Sequence, residues 1–243
     1  MDIEQIITPG KDTRQLYFNN DNSRVEIYQN QEHTWLMIDG IVQSAINNQP
    51  PFRPVLPHSL VMLLPLIHDV KPQSILELGG GGLSTQRYVR TSFPQIEFIS
   101  CELNQGLTDT VRACFPGSES LTVVTEDAHA LTSRFASQQR KFDWVMIDLY
   151  DGGECAIEHR QQLLKDCQII LSEGGWLIFN HLSAVKHNLD TFSDELTEIF
   201  SDRPYVFAVP GMQNHIFMLR VSRGRYQNEF SFPAAVDNTN LNR

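Results

Sequence analysis

From Ser74 onward the chain alternates short apolar runs with longer segments of helical spacing. The apolar runs are SILEL (74 to 78), IEFISCE (96 to 102), LTVVT (121 to 125), DWVMIDL (143 to 149) and GWLIFN (175 to 180). Between them STQRYVRTSF, NQGLTDTVRACF, AHALTSRFASQQ and AIEHRQQLLKDCQIIL can each form a helix. Strands separated by helices at this spacing predict βαβ units and an α/β fold with a doubly wound, mostly parallel sheet. A further helical segment, NLDTFSDELTEIF, leads into YVFAVPG and HIFMLRV, which a Pro-Gly turn and a few polar residues separate. That pattern predicts a terminal antiparallel strand pair.

The first fifty residues follow a different pattern. RVEIYQN and TWLMIDGIVQ flank the polar break QEHT, which predicts a β-hairpin or small sheet. NNQPPFRPVLP then packs four prolines into eleven positions and reads as a connector. Helical spacing begins at HSLVMLLPLIHDV. The organisation expected is a small N-terminal β subdomain over 1–55, a Rossmann-like nucleoside-binding domain over 56–222, and a polar tail over 223–243 whose last residues are mobile.

Composition narrows the function. With 243 residues, 41% of them hydrophobic, the chain can bury a core. A formal charge of −10 and a pI near 5.2 argue against a nucleic-acid partner, which usually meets a basic face. Cys101, Cys114, Cys155 and Cys167 have neither CxxC nor zinc-ligand spacing, and MDIEQIITPG lacks the blocks of a signal peptide. The longest apolar stretch, LVMLLPLI, is far shorter than the roughly 20 residues of a membrane span. A soluble protein of the reduced cytoplasm, without membrane, nucleic acid or metal, is the expectation.

The chemistry gathers at strand ends. SILEL stops at Gly79, Gly80, Gly81 and Gly82 and passes into a helix, the place where glycines let backbone amides approach a ligand. A dinucleotide site wants GxGxxG, and here the third glycine position holds Ser84. A site for S-adenosylmethionine instead suits Glu77, two residues before the glycines. Glu102 ends the second strand, twenty residues after Gly82, where a carboxylate can accept both ribose hydroxyls. Asp127 ends the third strand before the small Ala128. That pair suits an adenine amino group and a flat ring, and Asp127 also serves as a helix N-cap.

Taken together, LMIDGIVQ, LPLIHDVKPQSILELGGGG, CELN, EDAHAL, FDWVMIDLYDGG and LSEGGWLIFNHL resemble the spermidine synthase family of aminopropyltransferases and its spermidine synthase-like relatives. The family is a branch of the class I methyltransferase fold, and the likeness runs from about Val25 to Leu182. It implies an N-terminal β subdomain before the Rossmann-like domain, assembly as a homodimer or tetramer, and cofactor contacts from Gln43, Glu102, Asp127 and the glycine loop. Asp148 and Asp151 keep the DxxD spacing with which such enzymes hold and deprotonate a diamine. Alkyl transfer from a sulfonium needs a neutral amine lone pair in line with the carbon, so a carboxylate belongs there.

The departures are informative. Family aminopropyltransferases carry GGGDGG, whose Asp grips the amine of decarboxylated S-adenosylmethionine; this chain has Gly82 at that position. Their Tyr-His/Gln-Glu segment is replaced by Pro57, His58 and Ser59, and DSSDPxGPA by DLYDGGECA. Loss of the loop acid suits a donor that keeps its carboxylate, which a second carboxylate would repel. The leading expectation is thus a transferase using S-adenosylmethionine, with methyl transfer to a small amine or hydroxyl favoured. Aminopropyl transfer, with decarboxylated S-adenosylmethionine as donor and methylthioadenosine as product, is the alternative. An inactive nucleoside-binding module is the third reading. His181 is balanced between a site role and a structural one, and Trp35, Trp144 and Trp176 read as core.

Overall fold

The computed structural model describes residues 10–19, 23–68, 71–149, 157–182 and 186–221. Four strands come first: β1 (Arg14–Asn19), β2 (Val25–Gln29), β3 (His33–Ile38) and β4 (Ile41–Asn47), antiparallel and in sequence order. TWLMIDGIVQ is two strands, because Asp39 and Gly40 both adopt positive φ (51° and 79°) and close a two-residue hairpin whose twist matches its strands. The sequence pattern does not predict β1; it is an edge strand, half of its positions exposed and the rest half-buried, whose Leu16, Tyr17 and Phe18 are consecutive and give no alternation.

The two faces of this sheet bury different partners. Ile27, Leu36 and Ile46 pack against Leu83, Val111 and Phe115 of the following domain. Trp35 stacks on Tyr28 (centroids 5.7 Å apart) on the other face, beside Ala45 and Leu56. The sheet is therefore fixed against the glycine-loop region by an apolar core.

HSLVMLLPLIHDV forms two short helices, α1 (Pro57–Met62) and α2 (Pro65–His68). Pro57 suits a helix start, whereas Pro65 has no N–H to continue α1 and begins the second piece. The large sheet follows with β5 (Ser74–Leu78), β6 (Glu97–Glu102), β7 (Thr122–Thr125), β8 (Phe142–Ile147), β9 (Leu171–Leu182), β10 (Tyr205–Ala208) and β11 (Asn214–Arg220). The helices between are α3 (Ser84–Ser92), α4 (Gln105–Cys114), α5 (Ala128–Ser137), α6 (Ile157–Ile170) and α7 (Lys186–Phe200).

The strand order is β10-β11-β9-β8-β5-β6-β7. β5 pairs in parallel with β6 on one side and β8 on the other, while β11 runs antiparallel to both β9 and β10. This is the Rossmann-like, class I methyltransferase arrangement with its terminal antiparallel pair. Its central strands are buried on both faces. Leu76, Leu78, Val145 and Ile147 meet Leu131, Leu164 and Phe192 on one face, and Ile75, Trp144 and Met146 meet Met62 and Val89 on the other. All three tryptophans are core residues.

The order reverses at β5, so its carboxyl end opens the crevice in which such sheets place ligands. Among the described residues no helix is long and apolar enough to cross a membrane, and no cluster of three or more His, Cys, Asp or Glu could hold a metal.

Candidate functional site

The glycine run has a different physical reason at each end. Gly79 has φ +92°, and a Cβ there would lie 2.2 Å from the Asp148 carbonyl oxygen. No side chain fits. At Gly82 a Cβ would lie 2.3 Å from both Cβ and Oγ of Ser44, so β4 of the N-terminal sheet fills the space a loop acid would need. Ser44 is 3% exposed, and its hydroxyl has no hydrogen-bond partner among the described residues. Between these ends, a Cβ on Gly81 would meet nothing within 4 Å.

Leu83 closes the loop in the left-handed region (φ 55°, ψ 30°), a conformation costing a leucine about 1–2 kcal/mol. Two contacts offset the strain. The Leu83 side chain is fully buried in the core shared with the N-terminal sheet, worth roughly 2 kcal/mol. Beneath the loop, the buried Arg87 guanidinium donates to the carbonyls of Gly82 (2.9 Å) and Leu83 (3.2 Å). Burial pushes the Arg87 pKa down to about 10, which leaves it charged at neutral pH.

Glu102 lies at the end of β6, where its two oxygens accept from the backbone N–H of Gly81 (2.9 Å) and of Asn104 (3.0 Å). The carboxylate is thereby aimed across the loop. Gly79 and Gly80 both donate to the Cys101 carbonyl (3.0 and 2.9 Å), holding the loop on the same strand end. Asp127 caps α5, accepting from Ala130 N–H at 3.0 Å through one oxygen, and Ala128 behind it is buried. Gln43 occupies a bulge in β4: Leu36 pairs with Ser44 and Met37 with Val42, leaving Gln43 between them. It adjoins Ser44, the residue that touches the loop.

Glu77 sits under the loop within β5, 4% exposed, accepting a 2.6 Å hydrogen bond from the Ser100 hydroxyl. Burial pushes its pKa up to about 8, and the charges of Asp148 and Glu102 act in the same direction. Its carboxyl is neutral at pH 7.

Asp148 follows β8, with its backbone N–H on the Leu78 carbonyl (2.8 Å) and its side chain partly exposed at the crevice. Oδ1 accepts from Asn180 Nδ2 at 2.7 Å, and Asn180 Oδ1 accepts from Asn214 Nδ2 at 3.0 Å. Oδ2 faces His58 Nε2 of α1 at 3.9 Å. The His58 imidazole is buried, its Nδ1 has no partner among the described residues, and burial lowers its pKa. In the sequence His58 stands out only as a departure from the family segment, and Asn180 and Asn214 carry no signal of a role. FNHL quotes Asn180, but nothing local reveals that it reaches Asp148.

Asp151 and Tyr150 lie outside the described residues. His181 turns away from the carboxylates into an aromatic cluster, stacked on Phe192 at 4.8 Å and edge-on to Phe217 at 5.8 Å. Its Nε2 is buried without a partner among the described residues, and burial pushes its pKa down to about 4. Cys101 is buried, its thiol directed at the Glu126 carbonyl and pushed up to about 12 by burial.

Gly79–Gly82, Glu102 and Asp148 thus lie together at the carboxyl ends of β5, β6 and β8, with Asp127 two strands from β5 along the same edge and Ser44 of the N-terminal sheet against the loop. No family model matches the chain. In sequence it is similar to a polyamine aminopropyltransferase of Neisseria meningitidis serogroup A, 25% identical over 194 residues that make up 77% of this chain and 72% of the relative. In structure it is similar to a spermidine synthase in complex with the transition-state analogue AdoDATO, with a TM-score of 0.65, 17% identity, and coverage of 86% of this chain and 74% of that one. Human methyltransferase-like protein 13 in complex with SAH gives a TM-score of 0.57 at 21% identity, over 70% of this chain and 81% of that one. At these identities the structural likenesses speak for the fold.

Proposed function

Starting from the chain's place in a spermidine synthase-like family, we propose that it is a transferase that moves an alkyl group from an adenosyl sulfonium donor to a small amine. The observation that carries this reading is the Asp148 carboxylate, held at the crevice beside the glycine loop with one oxygen hydrogen-bonded to Asn180 and the other facing His58. The donor supplies an electrophilic carbon on sulfur. The protein's task is to orient the acceptor and remove a proton from it. Asp148 Oδ2 takes up the acceptor ammonium and accepts that proton, exposing the nitrogen lone pair. Asp151 assists.

The residues fit such a donor. Glu102, already aimed across the loop by two backbone amides, accepts from the ribose hydroxyls. Asp127 has a second oxygen beyond the one that caps α5, and with Ala128 it serves the adenine edge and face. Gly79, Gly80, Gly81 and Gly82 lie beneath the amino-acid end, Gln43 flanks them from the bulge, and Glu77 supports the loop from below as a neutral acid.

Aminopropyl transfer, with decarboxylated S-adenosylmethionine as donor, is the reading best supported, because the curated relatives carry that activity in their names. Methyl transfer from S-adenosylmethionine, favoured from sequence alone, becomes the second reading. One observation still supports it: Ser44 occupies the space in which a loop acid would be rooted. Incubating the protein with each donor and putrescine separates them. Methylthioadenosine release supports aminopropyl transfer and S-adenosylhomocysteine release supports methyl transfer. Release of neither, across a panel of amines, would count against the proposal.

A further inference from the structure

Asp148 can serve an acceptor only if its carboxylate is held in one orientation, and three adjacent strands supply the parts that hold it. β8 ends beside Asp148, β9 carries Asn180 and β11 begins at Asn214. The two hydrogen bonds, 2.7 Å from Asn180 to Asp148 and 3.0 Å from Asn214 to Asn180, form a chain that can run in only one direction. An ionised carboxylate only accepts, so Asn180 must present its NH₂ group to Asp148. Its carbonyl oxygen then faces Asn214, which must donate. The Asn214 backbone is anchored in turn, since its carbonyl accepts from the Val209 N–H at 3.0 Å and closes the β10–β11 hairpin.

We infer that Asn180 and Asn214 are positioning residues of the transfer reaction: together they occupy Oδ1 of Asp148 and leave Oδ2 as the oxygen that receives the acceptor. Without Asn214, the Asn180 amide could turn its oxygen toward the carboxylate, an acceptor against an acceptor. Without Asn180, the carboxylate could rotate about its last torsion and present either oxygen. The inference rests on the proposed role of Asp148.

The test is a double-mutant cycle on the full chain with Asn180→Ala, Asn214→Ala and the pair. It is read by kcat and by KM for putrescine, using the donor the wild-type protein turns over, with methylthioadenosine affinity and thermal melting alongside. Loss of a hydrogen bond to a charged group should reduce kcat by roughly 10- to 100-fold in Asn180→Ala. Methylthioadenosine affinity should stay within about twofold, because the relay does not touch the glycine loop. Asn214→Ala should lose less, and the double variant should be no worse than Asn180→Ala, since the two act in series.

Wild-type kcat in Asn180→Ala, or losses that multiply in the pair, would overturn the relay while leaving the transferase reading intact. If Asn180→Ala melts below the assay temperature, kcat of Asn214→Ala decides instead: a reduced value supports the relay and an unchanged one overturns it. A wild-type protein that transfers nothing to any amine would overturn the transferase reading itself, and the relay with it.

Discussion

Replacing Glu77 by Gln should make the protein more stable at neutral pH, although it removes a hydrogen-bonded side chain from the centre of the sheet. The Glu77 carboxyl is almost fully buried, and burial pushes its pKa from 4.5 up to about 8. A group whose pKa is raised on folding contributes stability that is fully present below its unfolded value. That contribution is lost as pH rises through the folded value. Between about pH 4.5 and 8 the unfolded chain ionises Glu77 while the folded chain keeps it protonated, costing about 1.4 kcal/mol per pH unit and about 3 kcal/mol by pH 7. Gln does not ionise, has nearly the same volume, and its carbonyl can still accept from Ser100. Urea unfolding of both proteins at pH 5, 6, 7 and 8 reads the difference directly. Other titrating groups, His58 and His181 among them, are common to both and largely cancel. The two proteins should be within about 1 kcal/mol of each other at pH 5, and the variant about 2–3 kcal/mol more stable at pH 7. An equal difference at the two pH values would refute the reasoning, because it would mean that Glu77 ionises as readily in the folded protein as in the unfolded one.

Gly79→Ala forces a Cβ into the Asp148 carbonyl at a left-handed φ and should cost on the order of 3 kcal/mol or more in urea unfolding, with transfer activity lost as Asp148 is displaced. Gly82→Asp alone should destabilise by about 1–3 kcal/mol through its clash with Ser44 and should not improve use of a decarboxylated donor; adding Ser44→Gly should recover part of the lost melting temperature. His181→Phe keeps an aromatic ring against Phe192 and removes a buried, unpartnered nitrogen. The His181 pKa is lowered on folding, so its contribution is present above about 6.5 and lost as pH falls toward 4. Relative to wild type, the variant should gain about 1 kcal/mol between pH 7 and pH 5 after allowance for the ring's partial exposure. Asp148→Asn should lower kcat for amine transfer by at least about 100-fold, the scale of a lost general base, while leaving methylthioadenosine affinity nearly unchanged; full turnover would remove Asp148 from the chemistry.

The order of strands and helices was legible because the central strands are buried on both faces and so appear as unbroken apolar runs: SILEL is β5, residue for residue. Edges and breaks were harder to see. β1 sets Leu16, Tyr17 and Phe18 side by side instead of alternating them with polar residues, and Pro65 divides a segment whose apolar spacing alone reads as one helix. At the site, residue type and strand-end position put Glu102, Asp127 and Asp148 forward as candidates, and the fold sets the three along one edge of the sheet. What they bond to was not legible, since Asn180 lies 32 residues and Asn214 another 34 residues further along the chain. The glycine at position 82 could be read as a missing acid, but only the folded chain puts Ser44 of the N-terminal sheet in that space. The position of Glu77, two residues before the glycines, suits a cofactor site, whereas the fold encloses its side chain beneath the loop between β6, β8 and the start of α3.

The central claim is that the crevice at the end of β5 is built for an adenosyl sulfonium, with Glu102 as its ribose partner. Calorimetric titration of decarboxylated S-adenosylmethionine, S-adenosylmethionine, methylthioadenosine and NAD into the wild-type protein and into Glu102→Gln tests it most directly. The account expects at least one sulfonium donor and methylthioadenosine to bind, NAD not to bind, and Glu102→Gln to weaken both by roughly 10-fold or more, as expected when hydrogen bonds to a charged group are lost. Binding of NAD alone, or sulfonium binding indifferent to Glu102→Gln, would contradict it.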